Sequence, residues 1–286
     1  MNTVQSGSQH PLRADLISIV GSENVIDDIE QLEERYTRDT SPFPATSPGI
    51  VVRPSSAREV SEVMKLANSH KVRVAIRGAG TSLTGLPYAD RQTIIVETRR
   101  LNRIVELDEV NMTVRAECGI IMGDLEKEAT KRGFFVHTVT VPLHYVTLGG
   151  VLSGVVGGGL PPRRPAFGTG VNFLLGLKVV LPDGRILDTN AGGANIHQKS
   201  NYIKLGNGPD VTGLFIGDGG IFGTKVEATV EIFPEPRLKQ ADLRNFSDFA
   251  KVWKALSRLI ELETLPYTQL RVRDMENRSS LEYVVE

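Results

Sequence analysis

Arg77-Gly78-Ala79-Gly80-Thr81-Ser82-Leu83-Thr84-Gly85 is the stretch that decides how this sequence folds. It follows residues 72–76, where valine and isoleucine predict a β-strand. Glycine-rich chain after a strand can turn successive backbone N–H groups toward one point, and Thr81 and Ser82 add hydroxyl donors. The stretch therefore predicts an anion-binding loop, where Arg77 either contributes charge or pairs with a carboxylate. The alternative is a surface loop that binds nothing.

Two common nucleotide-binding motifs are absent. The dinucleotide fingerprint needs a third glycine, and this sequence has Leu83 or Phe173 at that position of its two candidates. The phosphate-binding loop needs lysine before serine or threonine, whereas Gly223-Thr224-Lys225 has the reverse order. The glycines must serve a different loop architecture if they bind a nucleotide.

The composition is that of a globular chain with excess glycine. The 286 residues are 40% hydrophobic and carry a net charge of -1, so nucleic acid is not an expected partner. Glycine accounts for 28 residues, and the excess is clustered at 78–85, 149–159 and 217–223. The single cysteine, Cys118, cannot form an internal disulfide, which favours a reducing compartment, and we expect it to be a small packed side chain.

Two segments bear on location. Residues 1–11 lack the basic and apolar regions of a signal peptide, so we expect a cytoplasmic protein. Residues 138–162 contain no charged side chain, but their glycines and prolines leave too few bulky apolar residues for a transmembrane span. We expect a buried, backbone-rich loop around a ligand there, because glycine allows close approach.

The periodicity predicts an α+β chain. Helices are expected within 12–38, after a capping box at 56–59, and at 123–131. Strands are expected at 50–52, 93–97, 103–107, 112–117, 174–181, 185–189 and 224–233, with a hairpin turn at Pro182-Asp183-Gly184.

The pattern changes after residue 237. An amphipathic helix is predicted from Phe246, Phe249, Val252, Leu256 and Leu259, and a strand from 269–273. The apolar run Tyr283-Val284-Val285 has no partner visible in the sequence.

Six pieces of this sequence, in order over about residues 36–236, resemble the flavin-binding domain of the vanillyl-alcohol oxidase and p-cresol methylhydroxylase superfamily. Within it, the likeness is to the glycolate oxidase and D-lactate dehydrogenase branch. The pieces are Tyr36 with Asp39, the loop from Arg77 to Gly85, Thr147-Leu148-Gly149-Gly150, Phe167-Gly168, the hairpin from Leu177 to Gly184, and Ile216 to Gly223.

The resemblance implies an α+β fold with a two-subdomain FAD-binding domain of the p-cresol methylhydroxylase (PCMH) type. That domain is expected at 41–236, with subdomains at about 41–140 and 141–236. A tail and helices at 1–40 precede it, and the start of an incomplete cap, or substrate, domain follows at 237–286.

The resemblance also implies FAD as cofactor. We expect it to be held non-covalently, because Thr81 stands where some relatives carry the attaching histidine. By this analogy the first loop takes the pyrophosphate, 147–153 passes the flavin, and 217–223 closes the adenine or ribose side. The implied contacts are Arg77, Gly78, Ala79, Gly80, Thr81, Ser82, Leu83, Gly85, Pro142, Thr147, Leu148, Gly149, Gly150, Ser153, Gly154, Gly157, Gly168, Gly217, Gly220, Ile221 and Gly223.

Some residues depart from the family pattern or have no assigned role. Asp218-Gly219 replaces Ser-Glu, which we expect to remove the usual carboxylate from that turn. His137 and His144 are either substrate or flavin contacts or ordinary hydrogen-bonded histidines, so the catalytic base is not assigned. Arg163-Arg164 either meets an anionic group or lies in a solvated loop. The histidine spacing predicts no metal site.

The implied activity is that of an oxidoreductase. Hydride would pass from the hydroxylated carbon of a small molecule, a 2-hydroxy acid by the resemblance, to flavin N5, with reoxidation by a separate electron acceptor. The alternatives are a flavin-binding electron-transfer or scaffold subunit without substrate chemistry, and a degenerate member that binds no cofactor, which the altered Asp218-Gly219 turn favours. The enzyme and the flavin-binding subunit are both compatible with a partner subunit or a homo-oligomer.

Overall fold

Three β-sheets organise the described part of the chain, which in a computed structural model comprises residues 10–44, 46–83, 85, 89–136, 143–154, 173–189, 210–235, 240–261, 267–275 and 278–285. The helices are α1 (Arg13–Val20), α2 (Ile29–Arg35), α3 (Ala57–Ser69), α4 (Met122–Thr130), α5 (Leu148–Ser153) and α6 (Phe249–Glu261). The strands are β1 (Val25–Ile26), β2 (Ile50–Val52), β3 (Val74–Arg77), β4 (Ile94–Glu97), β5 (Ile104–Asp108), β6 (Thr113–Glu117), β7 (Phe134–Val136), β8 (Leu174–Val180), β9 (Ile186–Asp188), β10 (Thr224–Pro234), β11 (Gln240–Phe246), β12 (Tyr267–Met275) and β13 (Arg278–Val285).

The first sheet has the order β1-β2-β4-β3 and is parallel except for β1. Parallel strands covered on both faces are expected to be apolar throughout, and Ile94, Ile95 and Val96 of β4 are all fully buried. One face packs against α1 and α3, and the other packs against Leu32 and Tyr36. This burial fixes where β3 ends and the loop after it begins.

Helix α3 begins with half of the expected capping box. Ser56 Oγ accepts from the Glu59 backbone N–H at 3.1 Å, as predicted. The Glu59 carboxylate, however, accepts from the backbone N–H of Ser55, 2.8 Å away, and not from that of Ser56. The Ser55 hydroxyl is a second donor to this carboxylate, at 2.9 Å, which draws it one residue further back.

The second sheet has the order β5-β6-β10-β8-β9, with β7 also paired to β10. Helices α4 and α5 cover one face, where Met122, Leu125, Leu148 and Leu152 are fully buried. The predicted hairpin is confirmed, because β8 and β9 pair antiparallel across residues 181–185.

The two sheets share a core. Val60 and Met64 of α3 pack with Val180 and Val226 of the second sheet. The buried Ser61 hydroxyl also donates to the Gly184 carbonyl at 2.5 Å. Helix α3 therefore fixes the position of the first sheet against the second.

The chain changes sheet between β4 and β5, near residue 100. Strands β5 and β6 pair into the sheet of β10, although they precede residue 140, where we expect the subdomain boundary. The pairing is long-range, so spacing along the sequence did not reveal it. The domain bounds themselves stay a prediction.

The third sheet, with the order β11-β13-β12, follows residue 239 and packs against α6. Two expectations were wrong here. Phe246 ends β11 and is not part of the helix, which begins at Phe249. Tyr283, Val284 and Val285 do have partners, because β13 is the central strand and pairs with β11 and β12 on its two sides.

The α+β fold class is confirmed. Strand β3 begins at Val74, two residues later than the apolar run suggested, and the other predicted strands are present with similar bounds. No helix in the described residues combines the length and apolar character that a membrane crossing requires.

Candidate functional site

Arg77 is buried under the glycine loop that begins at the end of β3. Its Nη2 donates to the backbone carbonyls of Arg35 and Arg38, each at 3.1 Å, and its guanidinium lies 5.5 Å from the centre of the Tyr36 ring. A Cβ on Gly80, whose φ is +73°, would lie less than 3.0 Å from this guanidinium. Arg77 thus supports the loop from below.

Two acidic side chains and a tyrosine surround this arginine. Tyr36 donates its hydroxyl to Glu97 Oε2 at 2.8 Å, and burial followed by the Glu97 charge raises the pKa of the phenol. Burial lowers the pKa of Arg77, while Glu97, Tyr36 and Asp39 act in the opposite direction. Glu97 and Asp39 thus act on Arg77 through their charge, and the described residues show no ion pair between Arg77 and a carboxylate.

The backbone of the first loop has its carbonyls engaged and several amides available. Thr40 donates its hydroxyl to the carbonyls of Thr81 and Ser82 at 2.9 and 2.8 Å. Within the described part of the chain, the backbone N–H groups of Ala79, Gly80 and Thr81 have no acceptor. Three neighbouring amides in a glycine-rich turn are the donors that an anionic group requires.

Residues 148–153 form a helix, α5, within the stretch where we expected a backbone-rich loop. Thr147 is its N-cap, with Oγ1 accepting from the Gly150 N–H at 3.1 Å. Gly149 donates its N–H to the Cys118 carbonyl at 2.7 Å, and Leu148 and Leu152 are fully buried. Burial of these leucines in the second sheet's core stabilises helix over loop.

The third loop, 217–223, follows a short 3-10 helix (Thr212–Phe215) and leads into β10. Unlike the first loop, neither residues 149–154 nor this loop follows directly after a β-strand. Gly217, Gly219 and Gly220 have φ of 65°, 63° and 81°, a conformation that favours glycine. Ile221 and Phe222 are exposed at the tip of this loop.

The three segments meet. A Cβ on Gly78 of the first loop would lie less than 3.0 Å from Thr147 Oγ1, so only glycine allows this approach. Gly217 and Gly219 donate their N–H groups to the carbonyls of Leu152 and Ser153, at 2.9 and 3.0 Å, at the end of α5. A Cβ on Gly220 would lie 3.5 Å from Ile76, just before the first loop. The first segment thus contacts the second, the second contacts the third, and the third lies beside the strand residue that precedes the first loop.

The third loop does contain a carboxylate, contrary to expectation. Asp218 Oδ1 accepts from the Gly220 N–H at 2.9 Å and pairs with Lys225 Nζ at 2.6 Å. The family pattern has its carboxylate at the position of Gly219, and in this chain Asp218 carries a carboxylate one position earlier. Burial lowers the pKa of Lys225, and the contact with Asp218 opposes this shift.

Cys118 is fully buried, as predicted, but it has a cationic neighbour that sequence did not show. Burial raises the pKa of its thiol to about 12, while the charge of Lys225 acts to lower it. Lys225 lies 107 positions further along the chain and reaches Cys118 only because β10 pairs with β6. The thiol is consequently protonated at neutral pH.

Several predicted site residues are not placed. His137, Pro142, Gly157, Phe167, Gly168 and the Arg163-Arg164 pair lie outside the described residues. His144 is described, and its side chain is exposed in a short 3-10 helix (Leu143–Tyr145). The described residues hold no group of three or more His, Cys, Asp or Glu arranged to bind a metal.

Sequence reasoning missed three supporting residues. Thr40, Glu97 and Lys225 contact the loops directly or through Arg77 and Asp218, yet none belongs to a glycine cluster. A lysine among the buried apolar positions of β10 was the one signal present in the sequence.

The sequence profile of the family described as "FAD binding domain" matches residues 48–190. The chain belongs to this family. Its cofactor is FAD. The contacts between the glycine-rich segments come from the structure and not from the family match.

Two curated relatives were compared along their sequences. Glycolate oxidase subunit GlcD from Bacillus subtilis (strain 168) is 28% identical over 257 residues, covering 90% of this chain and 52% of the relative. D-lactate dehydrogenase from Archaeoglobus fulgidus is 32% identical over 192 residues, covering 66% of this chain and 39% of the relative. The chain thus spans about half or less of the length of these relatives.

One solved structure confirms the fold. p-Cresol methylhydroxylase with substrate bound aligns with a TM-score of 0.73 at 20% sequence identity, covering 87% of this chain and 48% of the other. The expected PCMH-type fold is therefore confirmed.

The described residues fit FAD. Available amides in the first loop suit a pyrophosphate, and the close approach at Gly78 needs a residue without Cβ. The one acidic side chain of the third loop, Asp218, is neutralised by Lys225 and turned away from solvent, with 1% of the side chain exposed. The cradle thus presents uncharged backbone, which can receive a dinucleotide without burying an unpaired charge.

Proposed function

We propose that this chain is the FAD-binding part of an oxidoreductase that acts on a 2-hydroxy acid. The observation that carries the proposal is the meeting of three glycine-rich segments, one with available amides, at a single place. Glycolate and D-lactate, named in the two relatives, are both 2-hydroxy acids. Their shared group, a carbinol carbon beside a carboxylate, is the substrate class that we propose.

The proposed cofactor contacts follow the three segments. The first loop, Gly78 to Ser82, binds the pyrophosphate through its N–H groups and the hydroxyls of Thr81 and Ser82. The segment from Thr147 to Gly154 lies along the flavin, and Gly217 to Gly223 lies against the adenosine part. Arg77 supports the first loop without contacting the phosphates, since its guanidinium is engaged with carbonyls beneath it.

The division of chemistry is simple. FAD, when bound, would accept the hydride, with its two electrons, that leaves the carbinol carbon. The protein residues orient the dinucleotide, and a base must take the hydroxyl proton so that a 2-oxo acid results. His144 is exposed and His137 lies outside the described residues, so we propose no base from this part of the chain.

The test is a visible spectrum of the purified protein, followed by anaerobic addition of glycolate and D-lactate, with L-lactate as the stereochemical control. We expect bound flavin that loses its absorbance with one of the first two acids. Protein that takes up no FAD contradicts the proposal as a whole. Flavin that no 2-hydroxy acid reduces contradicts the substrate class and favours an electron-transfer or scaffold subunit.

We also propose that the FAD is held non-covalently, since the described part of the first loop has no histidine or cysteine to form a bond. Acid precipitation of the loaded protein separates the two modes. Non-covalent flavin stays in the supernatant, and covalent flavin stays yellow in the pellet.

A further inference from the structure

A buried ion pair lies beneath the third loop. Lys225 Nζ is 2.6 Å from Asp218 Oδ1, and the two side chains are only 2% and 1% exposed. Arg58 with Glu62, in contrast, is an ion pair on the surface. A pair this deeply buried loses the hydration of two charges, so it does not by itself stabilise the fold.

The cost of burial at this pair is visible in its hydrogen bonding. Asp218 Oδ2 is buried and has no hydrogen-bond partner within the described residues. In the described residues, the hydrogen bonds of the carboxylate are therefore made by Oδ1, which accepts from both Lys225 Nζ and the Gly220 N–H. One oxygen thus joins a strand side chain to the loop backbone.

The two ends of this connection differ in rigidity. Lys225 lies in β10 between Thr224 and Val226, which are 0% and 1% exposed, and its strand pairs with β8 and β6. The loop contains four glycines between residues 217 and 223 and therefore loses much conformational entropy when it is ordered. A glycine-rich loop needs fixed contacts to hold one conformation.

The loop has anchors on two sides. On the α5 side, Leu152 and Ser153 accept from the N–H groups of Gly217 and Gly219. On the β10 side, the Asp218 side chain with Lys225 is the polar contact that joins the loop to the strand. Without the Asp218–Lys225 contact, residues 219–223 would be held at two points: the hydrogen bond from the Gly219 N–H and the start of β10.

We propose that Asp218 and Lys225 are positioning residues, which hold the 217–223 loop against β10 in the conformation that receives FAD. Neither side chain contacts the cofactor, since both are enclosed by protein. The inference rests on the proposed function for its ligand, but the ordering of the loop by the pair does not depend on FAD.

The decisive variant is the double substitution Asp218→Asn with Lys225→Met. Both side chains keep their approximate size, the amide can still accept from Gly220, and no charge is left unpaired in the core. Either single substitution strands one buried charge and is expected to destabilise the fold, so the single variants serve only as comparison.

Two quantities are measured on the full chain: amide hydrogen exchange of 217–223 without FAD, and FAD affinity by flavin fluorescence. In the double variant we expect exchange in the loop to be about tenfold or more faster and FAD binding about tenfold or more weaker, with little change in thermal midpoint. The amides of β10 are the internal reference for global opening.

The matched control is Lys178→Met with Glu227→Gln. This pair also has an Nζ to Oε1 distance of 2.6 Å and also involves β10, which it joins to β8, but it lies away from the loop. We expect the control to leave loop exchange and FAD affinity at wild-type values, because its charges do not touch residues 217–223.

The outcomes separate the proposals. A double variant that keeps wild-type exchange and wild-type FAD affinity overturns the positioning role, whether or not its thermal midpoint falls. A wild-type protein that binds no FAD contradicts the proposed function, and loop exchange then remains the test of the pair.

Discussion

Gly78 and Thr147 approach so closely that a Cβ on Gly78 would lie less than 3.0 Å from the threonine hydroxyl. The hydroxyl cannot turn away freely, because Thr147 is 1% exposed and caps α5 by accepting from Gly150. This contact brings the first loop to the start of α5. Glycine is required at position 78 because a side chain would not fit there, and not because the chain must be flexible.

Gly78→Ala tests this contact. The added methyl group must displace the loop or the Thr147 side chain, and overpacking of this kind costs about 1–3 kcal/mol. We expect FAD affinity, measured by flavin fluorescence, to fall about tenfold or more. The control is Gly213→Ala, whose Cβ would meet only the Asp210 side chain, at 3.0 Å. Equal FAD affinity in both variants would show that the close approach is not needed.

Arg77→Met removes the support beneath the first loop. The carbonyls of Arg35 and Arg38 then lose a charged donor, and we expect the free energy of unfolding to fall by about 1–3 kcal/mol. Urea denaturation measures the change. Arg58→Met is the control, because its ion pair with Glu62 is exposed and contributes less than about 0.5 kcal/mol. A similar loss in the two variants would contradict a buried supporting role for Arg77.

Ser61→Ala tests the junction of the two sheets. The Gly184 carbonyl loses its buried hydroxyl donor, which we expect to cost about 1–2 kcal/mol in urea unfolding. Ser69→Ala removes an exposed hydroxyl bond within the same helix and is expected to change stability by less than about 0.5 kcal/mol. If Ser61→Ala proves as mild as Ser69→Ala, the bond does not hold the sheets together.

Because the Cys118 thiol is buried, we expect the free energy of unfolding to fall at alkaline pH. Burial raises the pKa of its thiol from 9.0 to about 12, so the folded protein keeps a proton that the unfolded chain releases. The stabilisation is complete below pH 9 and is lost as pH rises through the folded-state pKa of about 12. Burial also raises the pKa of Tyr36, which adds in the same direction above its ordinary value of 10.0.

Urea unfolding of wild type and Cys118→Ala at about pH 8 and about pH 10.5 measures the share of the thiol, which is at most about 2 kcal/mol. We expect the variant to lose less stability than wild type between the two pH values. Equal losses would mean that the thiol is not the titrating group. In native wild type at neutral pH, a thiol reagent should react only as fast as the protein opens.

Local patterns predicted much of the fold. Alternation in β10, the turn at Pro182-Asp183-Gly184 and the buried face of α3 all depend on neighbours close in sequence, and each is observed. The glycine-rich piece at 77–85 was correctly placed after a strand for the same reason.

The errors occur where distant segments decide the conformation. Residues 148–153 form a helix because their leucines enter the core of the second sheet, and Tyr283 to Val285 find partners in β11 and β12. Asp218 was read as part of a turn without its usual carboxylate, whereas its charge is directed inward to a lysine on β10.

By itself, the sequence determined the α+β class and the glycine-rich loops, because strand periodicity and glycine chemistry are local properties, and its motifs carried the resemblance to the flavin-binding family. Only the tertiary structure decided that the three loops meet, that Arg77 lies beneath the first and that Lys225 holds the third. Those relationships depend on strand pairing and helix packing between residues far apart in the chain. Buried charges need partners and close backbone contacts need room, and these two requirements select the residues that meet there.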